Sequence, residues 1–262
     1  MDKLVSIIMP VFNSSRFIGS AIFSVLEQTY QDWELIICDD ESSDNSLVIA
    51  QEFSVSDSRI SVIENRYSKG APGARNSCLD VAEGRYIAFL DADDLWIPSK
   101  LELQIGFMIS NNYSFSYSYH QIMNENGDFV SECRAPESVD ARLMRVSNFI
   151  PCLTAVYDSY VLGKVYQPFI LKRNDFALWL KILNSGKVQR AYCLPVSTAQ
   201  YRANSYGLSS NKLDSLKYFN RCLTEYGNCN LFEACIYSSL YLLVVVIKKK
   251  LNFLYNFFVV KI

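Results

Sequence analysis

The sequence predicts an α/β protein whose sheet contains mainly parallel strands covered by helices on both faces. Two observations lead to this fold class. Short apolar runs alternate with segments of helical periodicity through the first hundred residues, as in successive βαβ units. The apolar runs are nearly continuous, which is typical of strands that are buried on both faces of a parallel sheet.

Strands and helices are expected in strict alternation within these first hundred residues. The strand patterns cover 5–9, 35–38, 60–63 and 86–90, and the helical spacings cover 17–26, 44–53 and 74–82. We expect Ser14 or Ser15 to cap the first helix and the segment 42–44 to cap the second. Ser and Asp side chains at these positions accept hydrogen bonds from the free N–H groups of a helix.

The second hundred residues predict a less regular arrangement. Its elements are a helix at 100–110, a strand at 114–119, a hairpin turn at 124–127, a polar irregular segment at 132–148, a helix at 175–183 and strands at 188–192 and 197–202. The polar segment is typical of a mobile loop over a binding site.

The composition limits the classes of function. The 262 residues are 50% hydrophobic, which suits one large domain with an extension. A net charge of −2 argues against nucleic-acid binding, which normally requires a basic excess. Eight cysteines without a Cys-x-x-Cys pair, and a single histidine, argue against a zinc site and favour a reduced, cytoplasmic protein without a signal peptide.

The last fifty residues differ from the rest in charge. Seven basic and three acidic side chains in 211–262 leave a local charge of +4. Apolar runs at 236–247 and 251–260 flank Lys248–Lys250, and neither reaches the ~18–20 residues that a spanning helix needs. An in-plane helix at an anionic membrane surface is favoured, with helices packed on the domain or on a second subunit as the alternatives.

An acidic motif directly after the fourth strand is the strongest chemical signal. Asp91 and Asp93 are two residues apart, and side chains alternate along a strand, so both are expected to converge at its carboxyl end. Ligands bind at that edge of open α/β sheets, and hard oxygen ligands there suit Mg²⁺ or Mn²⁺. A solvated acidic loop or a helix cap is the alternative interpretation.

Other strand ends carry matching side chains. Phe12 follows the first strand, Asp39 follows the second, and Arg75 lies near the start of the helix before the fourth. In a parallel sheet these positions share one edge with Asp91 and Asp93. An aromatic ring, carboxylates, a cation and a metal would together suit a nucleoside diphosphate.

Four ordered motifs resemble family 2 glycosyltransferases of the GT-A fold. They lie at 5–13, 38–44, 70–76 and 89–94, and the likeness is strong over 4–100 and weaker to about residue 205. The resemblance implies a GT-A-like, Rossmann-type mixed sheet, mostly parallel, flanked by helices and followed by a C-terminal helical extension. The expected division is a catalytic domain at 1–208, with a nucleotide-binding half at 1–98 and an acceptor half at 99–208, and an extension at 209–262.

The resemblance also implies inverting transfer of a sugar from a nucleotide sugar. Asp175, in the similar segment 173–180, matches the general base that deprotonates the acceptor hydroxyl. Asp93 matches the main ligand of a Mg²⁺ or Mn²⁺ cofactor, and Asp91 matches a contact to the ribose or to the metal. Arg75 is expected to contact the departing diphosphate, although pairing with a structural acid is the plainer alternative.

The nucleotide is expected to lie beside the first two strand ends. Asp39 matches the uracil or ribose contact and Phe12 the position beside the base, while Pro10 and Gly70 are expected to shape the pocket backbone. The sequence departs from the family pattern at three positions: Glu41 stands where Gly is usual, Asn174 where Glu is common and Asn204 where His is common. Glu41 is tolerable if its φ is negative.

The expected reaction is transfer of a hexose or N-acetylhexosamine, most simply UDP-linked, to a saccharide acceptor. The basic extension suggests an acceptor linked to polyprenyl diphosphate at the cytoplasmic face of the plasma membrane. Bacterial surface polysaccharides such as the O antigen of lipopolysaccharide are built from such acceptors. A sugar nucleotidyltransferase is an alternative, but 10–16 lacks its Gly-rich, basic loop. A catalytically silent nucleotide-sugar-binding scaffold is the other, and donor binding without turnover would identify it.

Overall fold

A computed structural model describes residues 3–203 and 212–250. Its strands within these ranges form one mixed sheet in the order β3-β2-β1-β4-β9-β6-β10-β5, with β7 beside β6 and β8 beside β10. They are β1 (Val5–Val11), β2 (Trp33–Asp39), β3 (Ile60–Glu64), β4 (Tyr86–Phe89), β5 (Leu95–Trp96), β6 (Phe115–Met123), β7 (Phe129–Cys133), β8 (Ser138–Asp140), β9 (Val156–Asp158) and β10 (Arg190–Arg202).

The helices cover both faces of the sheet and continue beyond it. They are α1 (Ile18–Leu26), α2 (Ser46–Ser56), α3 (Ala71–Val81), α4 (Lys100–Asn111), α5 (Ala141–Met144), α6 (Ser159–Leu162), α7 (Asn174–Leu183), α8 (Lys212–Glu225) and α9 (Leu231–Lys250). Pro72 at the start of α3 suits the first helical turn, where its missing N–H has no partner to lose.

Strand direction divides the sheet into two parts. β3, β2, β1 and β4 are parallel, and their registers align Val11 at the end of β1 with Asp39 at the end of β2. β9 runs antiparallel to β4 and β6, whereas β10 is parallel to β6. The parallel part places its carboxyl ends on one edge, as the alternating sequence predicts.

Two hydrophobic cores lie on opposite faces of the sheet. The period of two in β1 sends Ile7 and Met9 to one core and Ile8 to the other. Trp96 packs in the first core and Trp179 in the second, where Trp179 lies edge-on to Phe89 at 5.7 Å between ring centroids. Both indole rings are therefore packing residues.

The C-terminal helices pack against the domain through α7. Phe176 of α7 stacks on Phe219 of α8 at 4.9 Å, and Phe219 stacks on Tyr241 of α9 at 4.4 Å between ring centroids. Each such aromatic pair contributes about 0.5–1.5 kcal/mol beyond burial of its area. Packing on the domain is thus observed for α8 and for one side of α9, while the run 251–260 lies outside the described residues. Within the described ranges, none of the helices combines the length and the apolar character needed to cross a membrane.

Three local expectations were wrong. α1 has no side-chain cap; the backbone carbonyl of Ser14 instead accepts from the N–H groups of Phe17 and Ile18. The segment 132–148 contains β8 and α5, because β8 completes pairing with β10. The two late strands are one strand, β10, whose pairing with β6 continues past Pro195 through register shifts between Leu194 and Ala199. At α2 the N-cap residue is Asn45, which makes no side-chain cap bond, while the side chain of the preceding Asp44 accepts from the N–H of Ser46 at 2.9 Å.

Candidate active site

The acidic motif forms a turn and not the end of a strand. β4 stops at Phe89, and the N–H of Asp94 bonds to the carbonyl of Asp91 at 3.1 Å. The expected alternation of Asp91 and Asp93 along a strand was therefore wrong. What brings both carboxylates to the carboxyl edge of the sheet is the turn itself.

The side chain of Asp94 anchors this turn to β10. Its side chain is buried and accepts a bond from the N–H of Arg202 at 2.8 Å, while Arg202 Nε donates to the carbonyl of Asp93 at 2.9 Å. Burial raises the pKa of Asp94 well above its usual range, and the neighbouring carboxylates of Asp93 and Asp91 raise it further. The end of β10 thereby fixes the position of the turn.

Asp91 and Asp93 remain partly exposed above Asp94. Among the described residues, no group of three or more His, Cys, Asp or Glu side chains is arranged to hold a metal. The two carboxylates nevertheless fit Mg²⁺ or Mn²⁺, since such ions are commonly held by one or two carboxylates together with substrate phosphates and water. This donor set lacks soft ligands, in agreement with a hard cation.

Arg75 connects this turn to the second half of the chain. It is 4% exposed, and its guanidinium donates to Asp91, to Asn174 Oδ1 at 3.0 Å and to Gln167 Oε1 at 3.3 Å. Burial alone would lower the pKa of Arg75, but the Asp91 carboxylate outweighs burial and raises it. A buried cation therefore holds together the acidic turn and the first residue of α7.

Asp175 follows Asn174 in the first turn of α7 and is partly buried. Its Oδ2 accepts from Asn148 Nδ2 at 2.7 Å. Burial raises the pKa of Asp175 above the ordinary aspartate value, opposed by the N–H of Phe176, by the charge of Arg75 and by the bond from Asn148. A raised pKa makes an aspartate a stronger base, as proton abstraction requires.

The polar partners Asn148 and Gln167 were not predicted. Both lie in 112–172, where the sequence matches no motif. Asn148 touches the carboxylate of Asp175, and Gln167 touches Arg75 and accepts from Asn76 Nδ2 through its backbone carbonyl. No periodicity or spacing in the sequence distinguishes these two amides from ordinary loop residues.

The first two strand ends form the other side of the site. Asp39 is buried; its Oδ2 accepts from the N–H of Ser42 at 3.0 Å, whereas its Oδ1 has no protein donor. Buried carboxylate oxygens are costly without a donor, so this atom suits a donor from a ligand. Phe12 is 49% exposed and directly follows Val11, the register partner of Asp39. Pro10 is partly buried in β1.

Asp40 holds the backbone around this side. It accepts from Asn65 Nδ2 at 2.6 Å and from the N–H of Gly70 at 2.7 Å. Gly70, at the start of α3, has φ of 120°, a conformation that side chains rarely adopt. This backbone conformation explains why a glycine stands at position 70.

Glu41 does adopt a left-handed conformation, with φ of 63°. The condition under which Glu is harmless at this glycine-favouring position is not met, and a non-glycine residue there costs roughly 1–2 kcal/mol. The exposed carboxylate of Glu41 forms an ion pair with Lys69 Nζ at 2.7 Å. The same ammonium group lies 5.0 Å from the centre of the Phe12 ring. Asn204, the third departure, lies outside the described residues.

The fold is that of the GT-A glycosyltransferases. The mannosyltransferase PcManGT from Pyrobaculum calidifontis, solved in complex with GDP-Man and Mn²⁺, superposes with a TM-score of 0.67 over 91% of this chain and 69% of that chain. The two sequences are 16% identical. This likeness concerns the fold alone.

Within that fold, the chain belongs to glycosyl transferase family 2, whose model matches residues 6–149. It is 45% identical over 216 residues to the Escherichia coli UDP-Glc:alpha-D-GlcNAc-diphosphoundecaprenol beta-1,3-glucosyltransferase WfgD, covering 82% of this chain and 83% of the relative. It is 38% identical over 215 residues to the putative teichuronic acid biosynthesis glycosyltransferase TuaG of Bacillus subtilis, covering 82% and 84%. The protein is a glycosyltransferase, and the predicted family and fold are confirmed.

Proposed function

We propose that this enzyme transfers glucose or a related hexose from a UDP-sugar to a saccharide linked to polyprenyl diphosphate, with inversion, during synthesis of a bacterial surface polysaccharide. The observation that carries the proposal is the buried Arg75 bridge from Asp91 to Asn174, which links the acidic turn to the residue directly before Asp175. WfgD, which acts on UDP-Glc and a diphosphoundecaprenol-linked acceptor, supports the choice of substrates.

Asp175 acts as the general base in this reaction. Its carboxylate takes the proton of the acceptor hydroxyl while that oxygen attacks the anomeric carbon of the donor from the face opposite UDP. The new C–O bond forms as the bond to the diphosphate breaks, and the electron pair leaves with UDP. An α-linked donor thereby yields a β-linkage, the outcome named for WfgD.

A divalent cation at Asp93 and Asp91 would neutralise the diphosphate when it is bound. Asp91 also accepts from Arg75, so its orientation is fixed from the protein side. Arg75 donates to Asp91, Asn174 and Gln167 through Nη1 and Nη2, whereas its buried Nε has no protein acceptor among the described residues. Its contribution is therefore to position the carboxylates and to supply a fixed positive charge near the leaving group.

The nucleoside lies at the ends of β1 and β2. The unpaired Oδ1 of Asp39 accepts from the uracil ring or from a ribose hydroxyl. The exposed ring of Phe12 covers one side of the base, as aromatic rings do for planar ligands. Pro10 and Gly70 keep the backbone close enough for this contact.

The outer surface of α9 rests on the membrane that carries the acceptor. We call its amino-terminal part the membrane-facing surface, made of apolar side chains that are 40–76% exposed: Leu231, Phe232, Ile236 and Leu240. Lys248–Lys250 follow at the end of the same helix. Apolar residues combined with lysines suit an anionic lipid surface, and the enzyme is then peripheral on the cytoplasmic face.

The decisive experiment measures transfer from UDP-Glc to α-GlcNAc-diphosphate-lipid by the purified protein with Mn²⁺ or Mg²⁺. Asp175→Asn should lower kcat by about 10²–10⁴-fold, the usual contribution of a general base, without weakening donor binding. Asp32→Asn, an exposed aspartate at the opposite edge of the sheet, is the matched control. Donor binding by a wild-type protein that transfers to no saccharide acceptor would contradict the proposal.

A further inference from the structure

A cavity of about 470 Å³ opens beside Asp175, between the start of α7 and the two C-terminal helices. One wall comes from the segment around α7 and the other from α8 and α9. Its lining residues are Asn148, Leu171, Lys172, Arg173, Asn174, Asp175, Ser215, Tyr241, Leu242 and Val245. An acceptor bound in this cavity can therefore present a hydroxyl to the carboxylate of Asp175.

The α9 wall is apolar and held in place. Tyr241, Leu242 and Val245 share one face of the helix through their spacing. The hydroxyl of Tyr241 accepts from Arg173 Nη2 at 2.6 Å, and the same guanidinium nitrogen donates to Ser215 Oγ at 2.7 Å. Arg173 thus ties the catalytic segment to both C-terminal helices and fixes the width of the cavity.

The cavity combines three kinds of surface that a plain saccharide does not need together. Its polar groups surround Asp175, its cations are Lys172 and Arg173, and its hydrocarbon groups are Leu171, Leu242 and Val245. Cationic side chains complement phosphate oxygens, and aliphatic side chains gain from covering hydrocarbon. This combination matches an amphiphile with a sugar, a diphosphate and a lipid.

We propose that this cavity binds the lipid-proximal part of the acceptor, with the diphosphate beside Lys172 and Arg173 and the first part of the hydrocarbon chain against Leu242 and Val245. The acceptor sugar then reaches Asp175 from this side. The inference rests on the proposed function, and it assigns substrate binding to α9 in addition to membrane contact.

The test uses soluble acceptors in detergent without bilayers, so that membrane contact is not required. GlcNAc-α-diphosphate is supplied either as its decyl ester or as its methyl ester. The double variant Leu242→Asn/Val245→Asn is compared with Leu243→Asn/Val246→Asn. The second pair lies one residue further along the same helix and does not line the cavity. Its side chains are somewhat more exposed, at 56% and 52% against 48% and 39%.

The expected result is a KM for the decyl acceptor about tenfold higher in the first variant, equal to about 1.4 kcal/mol of binding. Its KM for the methyl acceptor and for UDP-Glc stays unchanged, which also shows that the protein is folded, and the second variant behaves as wild type. Equal effects of both variants, or equal KM of both esters in the wild type, would overturn the lipid subsite while leaving the transferase function intact. Failure of the wild type to use either ester would overturn the proposed function together with the subsite.

Discussion

At the scale of single residues, the same side chain serves different purposes according to its surroundings. The buried Asp94 accepts from a backbone N–H and anchors a turn, the buried Asp39 has one oxygen without a protein donor, and Asp93 is partly exposed at the edge of the sheet. Asp175 is raised in pKa by burial beside a compensating cation. Environment, and not residue type, assigns the four roles.

Asp93→Asn should abolish the metal dependence of donor binding. The substitution removes the negative charge that would hold a divalent cation against the diphosphate, while the hydrogen-bonded carboxylates of Asp91 and Asp94 remain. Titration calorimetry of UDP with and without Mn²⁺ measures this directly. The wild type is expected to bind more tightly with Mn²⁺ and the variant equally with and without it. Retained enhancement by Mn²⁺ in the variant would place the metal elsewhere.

Asn148→Ala should move the acidic limb of the pH–rate profile to higher pH. Asn148 donates to the charged form of Asp175, which lowers the pKa of that carboxyl, so its loss lets burial raise the pKa further. A hydrogen bond to a charged group contributes about 1.5–3 kcal/mol, and a pKa shift of one unit corresponds to about 1.4 kcal/mol. The acidic limb of the kcat/KM profile is therefore expected to move by about one to two pH units. An unchanged limb would mean that Asp175 is not the titrating base.

At the scale of elements, α4 carries a buried amine that pairs with no acidic side chain among the described residues. Lys100 is fully buried, with Nζ 2.5 Å from Gln104 Oε1 and 4.8 Å from the centre of the Trp96 ring. Burial lowers the pKa of Lys100 to about 7. Between about pH 7 and pH 10 the unfolded chain therefore binds a proton that the folded chain has released, and stability rises with pH in that window.

Lys100→Met should remove this pH dependence. Relative to the variant, the wild-type free energy of unfolding should rise by up to about 1.4 kcal/mol per pH unit above pH 7 and stay constant below it. Urea unfolding between pH 6 and pH 9 measures the difference, with Lys181→Met, at an exposed position of α7, as control. Parallel curves for wild type and variant across the whole range would contradict the lowered pKa.

At the scale of the whole molecule, the C-terminal helices belong to the folded domain and also present an apolar exterior. Phe219, Cys222 and Leu223 of α8 are part of the core that contains Phe176. Deleting the extension would uncover that core, so a truncation would confuse loss of folding with loss of membrane contact. Substitutions on the exposed surface avoid this difficulty.

Leu231→Asn, Phe232→Asn and Ile236→Asn combined should release the protein from anionic vesicles. Each removed side chain contributes roughly 1–2 kcal/mol when buried in lipid, so affinity should fall more than tenfold. Sedimentation with vesicles of phosphatidylglycerol and phosphatidylethanolamine measures binding, and Val55→Asn, 89% exposed on α2, is the control. Unchanged sedimentation of the triple variant would show that this surface does not bind lipid.

Much of the fold could be predicted because its signals are local. The period of two in β1 and the helical spacing of α1 depend on neighbours within a few residues, and the elements appear where those patterns predict them. The left-handed backbone of Glu41 and the helix caps were harder to predict from the sequence, because a turn conformation depends on the positions of the flanking strands. The site residues carry motifs only in the first hundred residues and around Asp175, and their individual roles stay predictions.

The sequence by itself determined the alternating elements, the family and the candidate carboxylates, because apolar periodicity and ordered motifs are properties of short segments. Only the tertiary structure decided which partner each carboxylate meets. Arg75 and Asn174 are 99 residues apart in the chain, and Asp94 and Arg202 are 108 apart. The cavity beside Asp175 likewise joins α7 to α9. Contacts at such separations arise from how the sheet and helices close on one another, and no local pattern encodes them.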